Sequence, residues 1–206
     1  MKFIDVKTKL SKNEIIDIRN VINFFDSIDR RRLYEWQKKG YITKLTSNFY
    51  VFSDVDIDDP FVRRIGNKIY SPSYVGLESA LSYYGLIPEA VFQITSVSSR
   101  KTRNIQTPIS NFNYRSIHKR LFWGYSLNTE TSHDFLISDP EKTVLDYLYL
   151  NTHLDDIRSL EELRFNREVS GDLLNVAKLK EYLKIFSHDR LTRSIAKLMK
   201  VLNVKF

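Results

Sequence analysis

The chain has 206 residues, of which 42% are hydrophobic and 28% charged, and its formal net charge is +7. This length allows one large domain or two small ones, and the composition is that of a globular protein with a substantial core. The absence of cysteine excludes a disulfide framework, thiol catalysis and cysteine-ligated zinc. No apolar run approaches the ~18 residues of a membrane span, and the N-terminus lacks a signal-peptide core, so we expect a cytoplasmic protein with no membrane partner.

The positive charge is concentrated in the N-terminal region. Residues 1–53 hold 11 Lys and Arg against 6 Asp and Glu, a balance of +5. Residues 54–150 hold 10 against 11, and residues 151–206 hold 11 against 8. A local excess of this kind indicates a polyanionic partner for the N-terminal region.

Two short helices are predicted at the start of the chain. Phe3 to Leu10 is a candidate for the first. Ser11 to Glu14 has the S-x-x-E pattern of a capping box, and the isoleucine-rich residues 15–22 follow it as a second helix. Asp26 and Ser27 then supply another helix start signal.

A third helix and a hairpin complete this region. The helix is predicted from Ile28 to Lys39, with Leu33 and Trp36 facing inward. The β-rich runs at residues 41–45 and 49–52 then predict a hairpin, with Asn48 adopting a positive φ in the turn. Three helices followed by a hairpin predict a winged helix-turn-helix domain in residues 1–53.

In that fold, the N-terminal half of the third helix enters the major groove and the hairpin, or wing, lies along the DNA backbone. Guanidinium groups suit both phosphate binding and bidentate reading of guanine. The predicted DNA-binding residues are Arg30, Arg31, Arg32 and Tyr34 on the helix, with Lys38, Lys39, Lys44, Ser47 and Asn48 as backbone contacts. The alternative, that Arg30–Arg32 form only a solvated helix face, stays open.

The acidic run DVDIDDP, residues 54–60, predicts a linker to a second domain at 61–206. Its four aspartates have a spacing similar to that of a calcium loop, but the glycine and glutamate of an EF-hand are missing, so a solvated linker is favoured. The second domain is predicted to be mixed α/β with a helical C-terminal region. Its predicted helices are 61–69, 73–84, 137–150 (with Asp139 as N-cap), 176–186 and 191–204, and its predicted strands are 91–97, 111–117, 121–127 and 134–137.

A second basic cluster lies in the middle of the chain. Its members are Arg100, Lys101, Arg103, Arg115, His118, Lys119 and Arg120. If the strands that carry them are neighbours, these residues gather at one end of the sheet as a docking face for an acidic partner or for nucleic acid. The alternative is that they are ordinary strand-end and loop charges in water.

The sequence offers little for catalysis. The four histidines are scattered, and none has a second histidine at the i+3 or i+4 spacing typical of metal sites. Phosphate-binding loops and G-x-S-x-G are absent. An acid-x-lysine pattern of the nuclease type occurs at Asp5 to Lys7, but in a predicted helix rather than a strand. We therefore expect no enzyme, no metal and no cofactor, with a nuclease as a remote alternative.

Five blocks of the chain resemble the AbiEi family of antitoxins, the repressor half of type IV, abortive-infection toxin–antitoxin operons. The blocks are LYEWQKKGYITKLTSNFYVF (33–52), IYSPSYVGLESALSYYGLIPE (69–89), ITSVSSRKTR (94–103), FNY with GY (112–114, 124–125) and SDPEKTVLDYLYL (138–150). The resemblance extends over roughly residues 26–150, and the quoted blocks lie between residues 33 and 150. The helical tail is similar to the family only in being helical.

The resemblance implies an autorepressor whose winged helix binds inverted repeats in double-stranded operator DNA. It also implies an α/β domain that counteracts a nucleotidyltransferase-like toxin, directly or indirectly. The DNA role falls on the helix around Arg30–Tyr34 and on the wing around Lys44–Phe49, and the antitoxin role on Arg100, Lys101, Arg103 and Arg115. The family's wing turn usually has a basic residue followed by glycine, whereas Ser47 and Asn48 stand here. The alternative function is a winged helix used for protein contact, or a regulator without a toxin partner.

Overall fold

The computed structural model describes residues 3–10, 14–21 and 29–206. The first part of the chain forms a small unit of helices and a three-stranded antiparallel sheet. Its elements are α1 Phe3–Leu10, β1 Ile15–Asp17, α2 Ile18–Val21, α3 Arg30–Lys38, β2 Ile42–Lys44 and β3 Phe49–Phe52. The sheet order is β1-β3-β2, so β3 pairs with both neighbours. The predicted first helix and hairpin are confirmed.

Residues 15–17 form a strand, so the prediction of a helix from residue 15 is wrong. Ile15, Ile16 and Asp17 pair with β3, and Ile16 is 2% exposed. β-branched side chains fit the pleated surface of a sheet, and pairing with β3 outweighs the local helical pattern. Only the single turn of α2 follows. Residues 11–13 of the predicted capping box, and residues 26–28 with the next start signal, lie outside the described residues.

The central strand β3 is buried on both faces. Tyr50 and Phe52 belong to the core beneath α1 and α3, together with Leu33 and Trp36. Because side chains alternate along a strand, Phe49 and Val51 point to the opposite face. There they join a second hydrophobic cluster with α4, Asp59–Ile69, and with β7, Asn111–Ser116, of a larger sheet.

Helix α4 begins inside the predicted linker. Asp58 caps it by accepting a hydrogen bond from Phe61 N at 2.8 Å. Phe61 and Ile65 are fully buried in the cluster that α4 shares with β3. Another linker aspartate, Asp54, pairs with Lys7 of α1. These aspartates therefore cap or pair with neighbouring elements.

The larger sheet has six strands in the order β6-β7-β5-β4-β9-β8. These strands are β4 Ser73–Val75, β5 Ile94–Ser98, β6 Arg103–Gln106, β7, β8 Tyr125–Asn128 and β9 Phe135–Ser138. The β4–β9 and β5–β7 pairs are parallel, and the other three are antiparallel. The helices that follow α4 are α5 Leu77–Tyr83, α6 Pro140–Leu150, α7 Ile157–Glu162, α8 Arg167–Leu173, α9 Val176–Phe186 and α10 Asp189–Val201. The fold is therefore mixed α/β, as predicted.

Two predicted elements of this part are corrected. Ser73 is not a helix N-cap, because Ser73–Val75 lies between β5 and β9 in the sheet and α5 begins only after Gly76. The predicted strand at 121–127 begins at Tyr125, because a short 3-10 turn precedes it and Gly124 adopts a φ of +73°. The helix start at Asp139 is confirmed, since its side chain accepts from Lys142 N at 2.8 Å.

No helix in the described ranges combines the length and the apolar character needed to cross a membrane.

A polar triad lies inside the main core, between α6 and β4. Lys142 and Asp146 have no exposed side-chain surface, and their ammonium and carboxylate groups form an ion pair. Tyr74 donates from its hydroxyl to Asp146 Oδ2 at 2.6 Å and accepts from Lys142 Nζ at 3.0 Å. The rings of Trp123 and Phe186 both lie 5.2 Å from Lys142 Nζ. Burial and the neighbouring carboxylate raise the pKa of Tyr74 well above its usual value, which keeps its hydroxyl a proton donor.

Gly124 lies against the Lys142 side chain of this triad, and we expect Gly124→Ala to destabilise the fold. A Cβ there would stand 2.9 Å from Lys142 Cγ, in addition to the strain of a positive φ. Gly85→Ala is the matched control, because its φ is +67° but nothing lies within 4 Å of its Cβ position. In urea unfolding, Gly124→Ala should cost about 1–3 kcal/mol more than Gly85→Ala, the usual range for overpacking. Equal destabilisation by the two variants would mean that the close approach to Lys142 is unimportant.

Candidate nucleic-acid interface

The burial pattern of α3 separates its predicted DNA-binding residues from the core. Asp29 caps the helix by accepting from Arg31 N at 2.9 Å. Leu33 and Trp36, which are 3% and 5% exposed, hold one face of the helix in the core of the small unit. Arg30, Arg31, Arg32 and Tyr34 are all exposed on the rest of the helix. These four side chains are therefore all solvated, but the three consecutive arginines point in different directions around the helix.

Two features of the exposed surface of α3 favour a ligand. Tyr34 leaves 68% of its surface in water, so its ring is accessible to a ligand. Arg32 Nη1 lies 3.0 Å from Glu35 Oε2 in an exposed i,i+3 ion pair. Exposed pairs contribute about 0–1 kcal/mol, so Arg32 can exchange this partner for a phosphate or a base at little cost.

The remaining predicted DNA-binding residues lie at the far end of α3 and along the β2–β3 hairpin. Lys38 ends α3 and Lys39 is its C-cap residue, while Lys44 ends β2. All three are exposed, as is Ser47 in the turn, and Asn48 is half-buried. The prediction of a positive φ at Asn48 is wrong. In the described part of the chain, the non-glycine residues with positive φ are Leu77, Arg164, Ser187 and Asn203.

The turn between β2 and β3, which is the predicted wing turn, forms one wall of a polar cleft of about 520 Å³. The opposite wall is the end of α4 and the corner between β5 and β6. Four cationic side chains line the cleft, namely Arg19, Lys68, Arg100 and Arg103. The hydroxyls and amides of Thr46, Ser47, Asn48, Asn104 and Gln106 also reach it. We call this feature the wing cleft.

Arg100 is held in place at the wing cleft by a buried tyrosine. Its guanidinium carbon lies 4.5 Å from the ring centroid of Tyr70, and its Nη1 donates to Ser71 O at 3.0 Å. Arg103 lies 5.7 Å from the same ring. Tyr70 is 5% exposed and donates its hydroxyl to Lys101 O at 2.8 Å, so the platform is itself fixed.

The second predicted basic cluster lies at one end of the larger sheet. Strands β5 and β7 run parallel, so the residues that follow them come to the same end. Ser116 N, at the end of β7, donates to Thr102 Oγ1 at 3.1 Å, which joins the two segments directly. The cationic side chains nevertheless diverge. Those of Arg100 and Arg103 face the wing cleft, whereas Arg115 and Arg120 turn to the C-terminal helices.

Arg115 and Arg120 bind helix ends. Arg115 Nη2 donates to Leu150 O at 2.9 Å, at the last residue of α6. Arg120 Nη2 donates to Phe186 O at 3.4 Å, at the last residue of α9. Cations favour helix C-termini, where carbonyl groups lack partners within the helix. His118 accepts from Arg120 N at 3.3 Å as a cap of the short 3-10 turn, and Lys119 is exposed.

Two cationic residues of the wing cleft, Arg19 and Lys68, were not predicted from the sequence. Arg19 Nη2 pairs with Asp17 Oδ2 at 2.6 Å, and this hydrogen bond raises the pKa of Arg19 above its usual value. Lys68 is exposed near the end of α4. Nothing in the sequence near either residue signals a site, because the cleft is assembled by packing of α2, α4 and the two sheets.

The described histidines and acidic residues offer no clear chemistry. In the described residues there is no group of three or more His, Asp or Glu side chains arranged to hold a metal ion. His133 packs on Phe61 at 4.8 Å between ring centroids, and its Nδ1 lies 3.3 Å from Glu14 Oε2. What the described surface offers chemically is an array of cations and hydrogen-bond donors.

No family model matches the chain, and no curated protein matches it. Among solved structures, the chain is similar to the crystal structure of the RV2827C protein from Mycobacterium tuberculosis. The TM-score is 0.52 at 11% sequence identity, over 95% of this chain and 80% of that chain. Identity this low shows a shared fold alone.

Proposed function

We propose that the chain is a DNA-binding antitoxin that represses its own operon and counteracts a nucleotidyltransferase-like toxin. The observation that carries the DNA-binding part is the exposed surface of α3, where three arginines and Tyr34 are solvated while Leu33 and Trp36 are buried. The proposal takes residues 1–53 as a winged helix-turn-helix, α3 as its recognition helix, and the turn between β2 and β3 as its wing.

The order of elements supports this interpretation. Helices α1, α2 and α3, with the short strand β1 between the first two, precede the β2–β3 hairpin, and β1 adds to the hairpin as a third strand. A helix that buries one stripe and exposes arginines on the rest of its surface is suited to enter a major groove, where arginine binds guanine through two hydrogen bonds. Lys44 and Ser47 would then contact phosphates from the wing.

The antitoxin part rests on the sequence blocks between residues 33 and 150 that resemble the AbiEi family. In this proposal, residues 61–206 form the domain that opposes the toxin. The resemblance places that role on Arg100, Lys101, Arg103 and Arg115, although Arg115 here binds the C-terminus of α6. Whether neutralisation is direct or indirect, it requires a toxin encoded beside this chain.

Co-expression tests the antitoxin part. The adjacent reading frame, expressed alone from an inducible promoter, is expected to stop growth, and expression of this chain in trans is expected to restore it. Counting colony-forming units under induction measures the effect. The control is an empty vector in place of this chain. An adjacent product that is harmless, or whose toxicity this chain fails to relieve, would refute the antitoxin part and leave the DNA-binding part standing.

Salt dependence separates DNA binding from protein contact by the same domain. Binding of the upstream duplex through several lysine and arginine contacts should weaken steeply with salt, with a log–log slope of about −0.9 for each phosphate neutralised. Fluorescence anisotropy at several potassium chloride concentrations gives that slope. A chain that binds no duplex at low salt would instead use its winged helix for protein contact. Cleavage of plasmid DNA in the presence of magnesium would identify a nuclease.

A further inference from the structure

We infer that the wing cleft binds the phosphodiester backbone of DNA, so that Arg100 and Arg103 of the α/β domain contact the same duplex as the wing. This inference rests on the proposed DNA binding and extends it to residues outside the winged helix. It departs from what the family resemblance implies, since that assigns Arg100 and Arg103 to the antitoxin role.

The charge of the wing cleft is unbalanced. Among the residues that the structure describes, fifteen line the cleft, and these include four cations and no Asp or Glu. Arg19 is already paired with Asp17. None of the ion pairs found among the described residues involves Lys68, Arg100 or Arg103. Three exposed cations therefore share one cleft without a counter-charge from the described chain, and an anion there would relieve their mutual repulsion.

The side chain of Arg100 is ordered before any ligand binds. Stacking on Tyr70 at 4.5 Å and the hydrogen bond to Ser71 O hold the Arg100 side chain in one place. A guanidinium carries five N–H donors, and this bond uses one of them, so the rest remain for a ligand. A side chain that is already ordered loses less conformational entropy on binding. The geometry is that of a binding group rather than of a free surface charge.

The position of the cleft favours DNA over other anions. One of its walls is the wing turn, at Thr46, Ser47 and Asn48, and a wing lies along the DNA backbone. A phosphate next to the one bound by the wing turn would meet Arg100 or Arg103 across the cleft. The lining hydroxyls and amides of both walls are further donors for phosphate oxygens. The wing turn has the uncharged residues Ser47 and Asn48 at its tip. Arg100 and Arg103 thereby supply the positively charged contact to the DNA backbone that this turn lacks.

Anisotropy titrations on two duplexes test the inference: the DNA upstream of the gene and a scrambled duplex of equal length. Phosphate contacts are independent of sequence, so Arg100→Ala/Arg103→Ala should weaken binding to both duplexes alike. At 0.1 M salt the affinity should fall roughly tenfold for each phosphate contact removed, and the log–log salt slope should become shallower by about 1.8. The control, Lys184→Ala/Arg193→Ala, removes the same charge from exposed positions on α9 and α10 and should change neither quantity.

The loss of Arg100 and Arg103 could disturb the fold around Tyr70, and a second variant controls for this effect. Lys68 is exposed and forms none of the ring contacts found in the described chain, so Lys68→Ala probes the cleft without disturbing the platform. Its slope should become shallower by about 0.9. Wild-type affinity and slope for both variants would overturn the inference while leaving the DNA-binding proposal intact.

The other outcomes separate the inference from the proposed function. Equal binding of both duplexes by the wild-type chain would count against operator recognition, yet the salt slopes would still test the cleft. Loss of toxin rescue with unchanged DNA binding in Arg100→Ala/Arg103→Ala would assign the cleft to a protein partner. Calorimetric binding of inorganic phosphate alone, abolished in that variant while DNA binding persists, would assign it to a small phosphate ligand. Either result overturns the inference.

Discussion

Asp146→Ala is expected to lower the free energy of unfolding by about 3–5 kcal/mol, the usual cost of removing one partner from a buried ion pair. The carboxylate has no exposed surface, and the ammonium group that it pairs with lies within 5.6 Å of the ring centroids of Tyr74, Trp123 and Phe186. Without it, the hydroxyl of Tyr74 would be the one hydrogen-bond partner left to the buried ammonium group of Lys142 among the described residues. Urea denaturation measures the change, which is large beside the total stability of an ordinary domain.

Arg158 and Glu162 provide a matched comparison. They also form an i,i+4 ion pair within one helix, but their side chains are 89% and 67% exposed. Arg158→Ala should therefore cost less than about 1 kcal/mol. The double variant Lys142→Met/Asp146→Leu removes both charges and should recover most of the stability that Asp146→Ala forfeits. If Asp146→Ala costs no more than Arg158→Ala, the buried pair does not stabilise the core as we describe.

The triple variant Arg30→Ala/Arg31→Ala/Arg32→Ala is expected to abolish the preference for upstream DNA over a scrambled duplex. Removal of each arginine–base hydrogen-bonded pair should cost about 1–3 kcal/mol, so the affinity for the upstream duplex should fall by about thirtyfold or more if two such pairs are removed. All three side chains are exposed, and the buried Leu33 and Trp36 are unchanged, so the helix itself should persist. Fluorescence anisotropy with both duplexes measures the change.

The control for this variant removes three exposed cations far along the chain. Lys184→Ala/Arg193→Ala/Lys200→Ala changes the net charge by the same amount on α9 and α10. It should leave the preference for upstream DNA intact. Unchanged binding by the Arg30–Arg32 variant would remove α3 from the role of recognition helix. An equal decrease in affinity for both duplexes would instead show that those arginines contact phosphates rather than bases.

The sequence correctly predicted the elements that are specified by residues close to them in the chain. The start of α6 follows from Asp139 and Pro140, and α9 was predicted with the bounds that the structure has. Strand β6 was missed because it is an edge strand in which only Ile105 is partly buried, so it shows no apolar alternation. Strand β1 was misassigned because its partner β3 lies more than thirty residues away in the sequence.

The candidate site also combines features that nearby residues specify with features that depend on distant parts of the chain. The α3 surface was predictable, because Leu33 and Trp36 mark the buried face and leave the arginines outside. The wing cleft was not, because α4 and two sheets bring Arg19 and Lys68 to it from separate segments. The buried triad was also missed. Lys142 and Asp146 have the i,i+4 spacing of an ordinary surface pair, and only the packing of distant rings makes them interior.

Because β3 is buried on both faces, the stability of the small unit depends on the rest of the chain. Phe49 and Val51 pack with Phe61 and Ile65 of α4, beyond the last residue of the small sheet. A chain cut after residue 53 would expose Phe49 and Val51 to water as an apolar patch, a feature that promotes aggregation. The predicted DNA-binding unit is thus ill suited to transfer by gene fusion as a freestanding module. The hydrophobic cluster that completes it includes side chains of α4 and of β7.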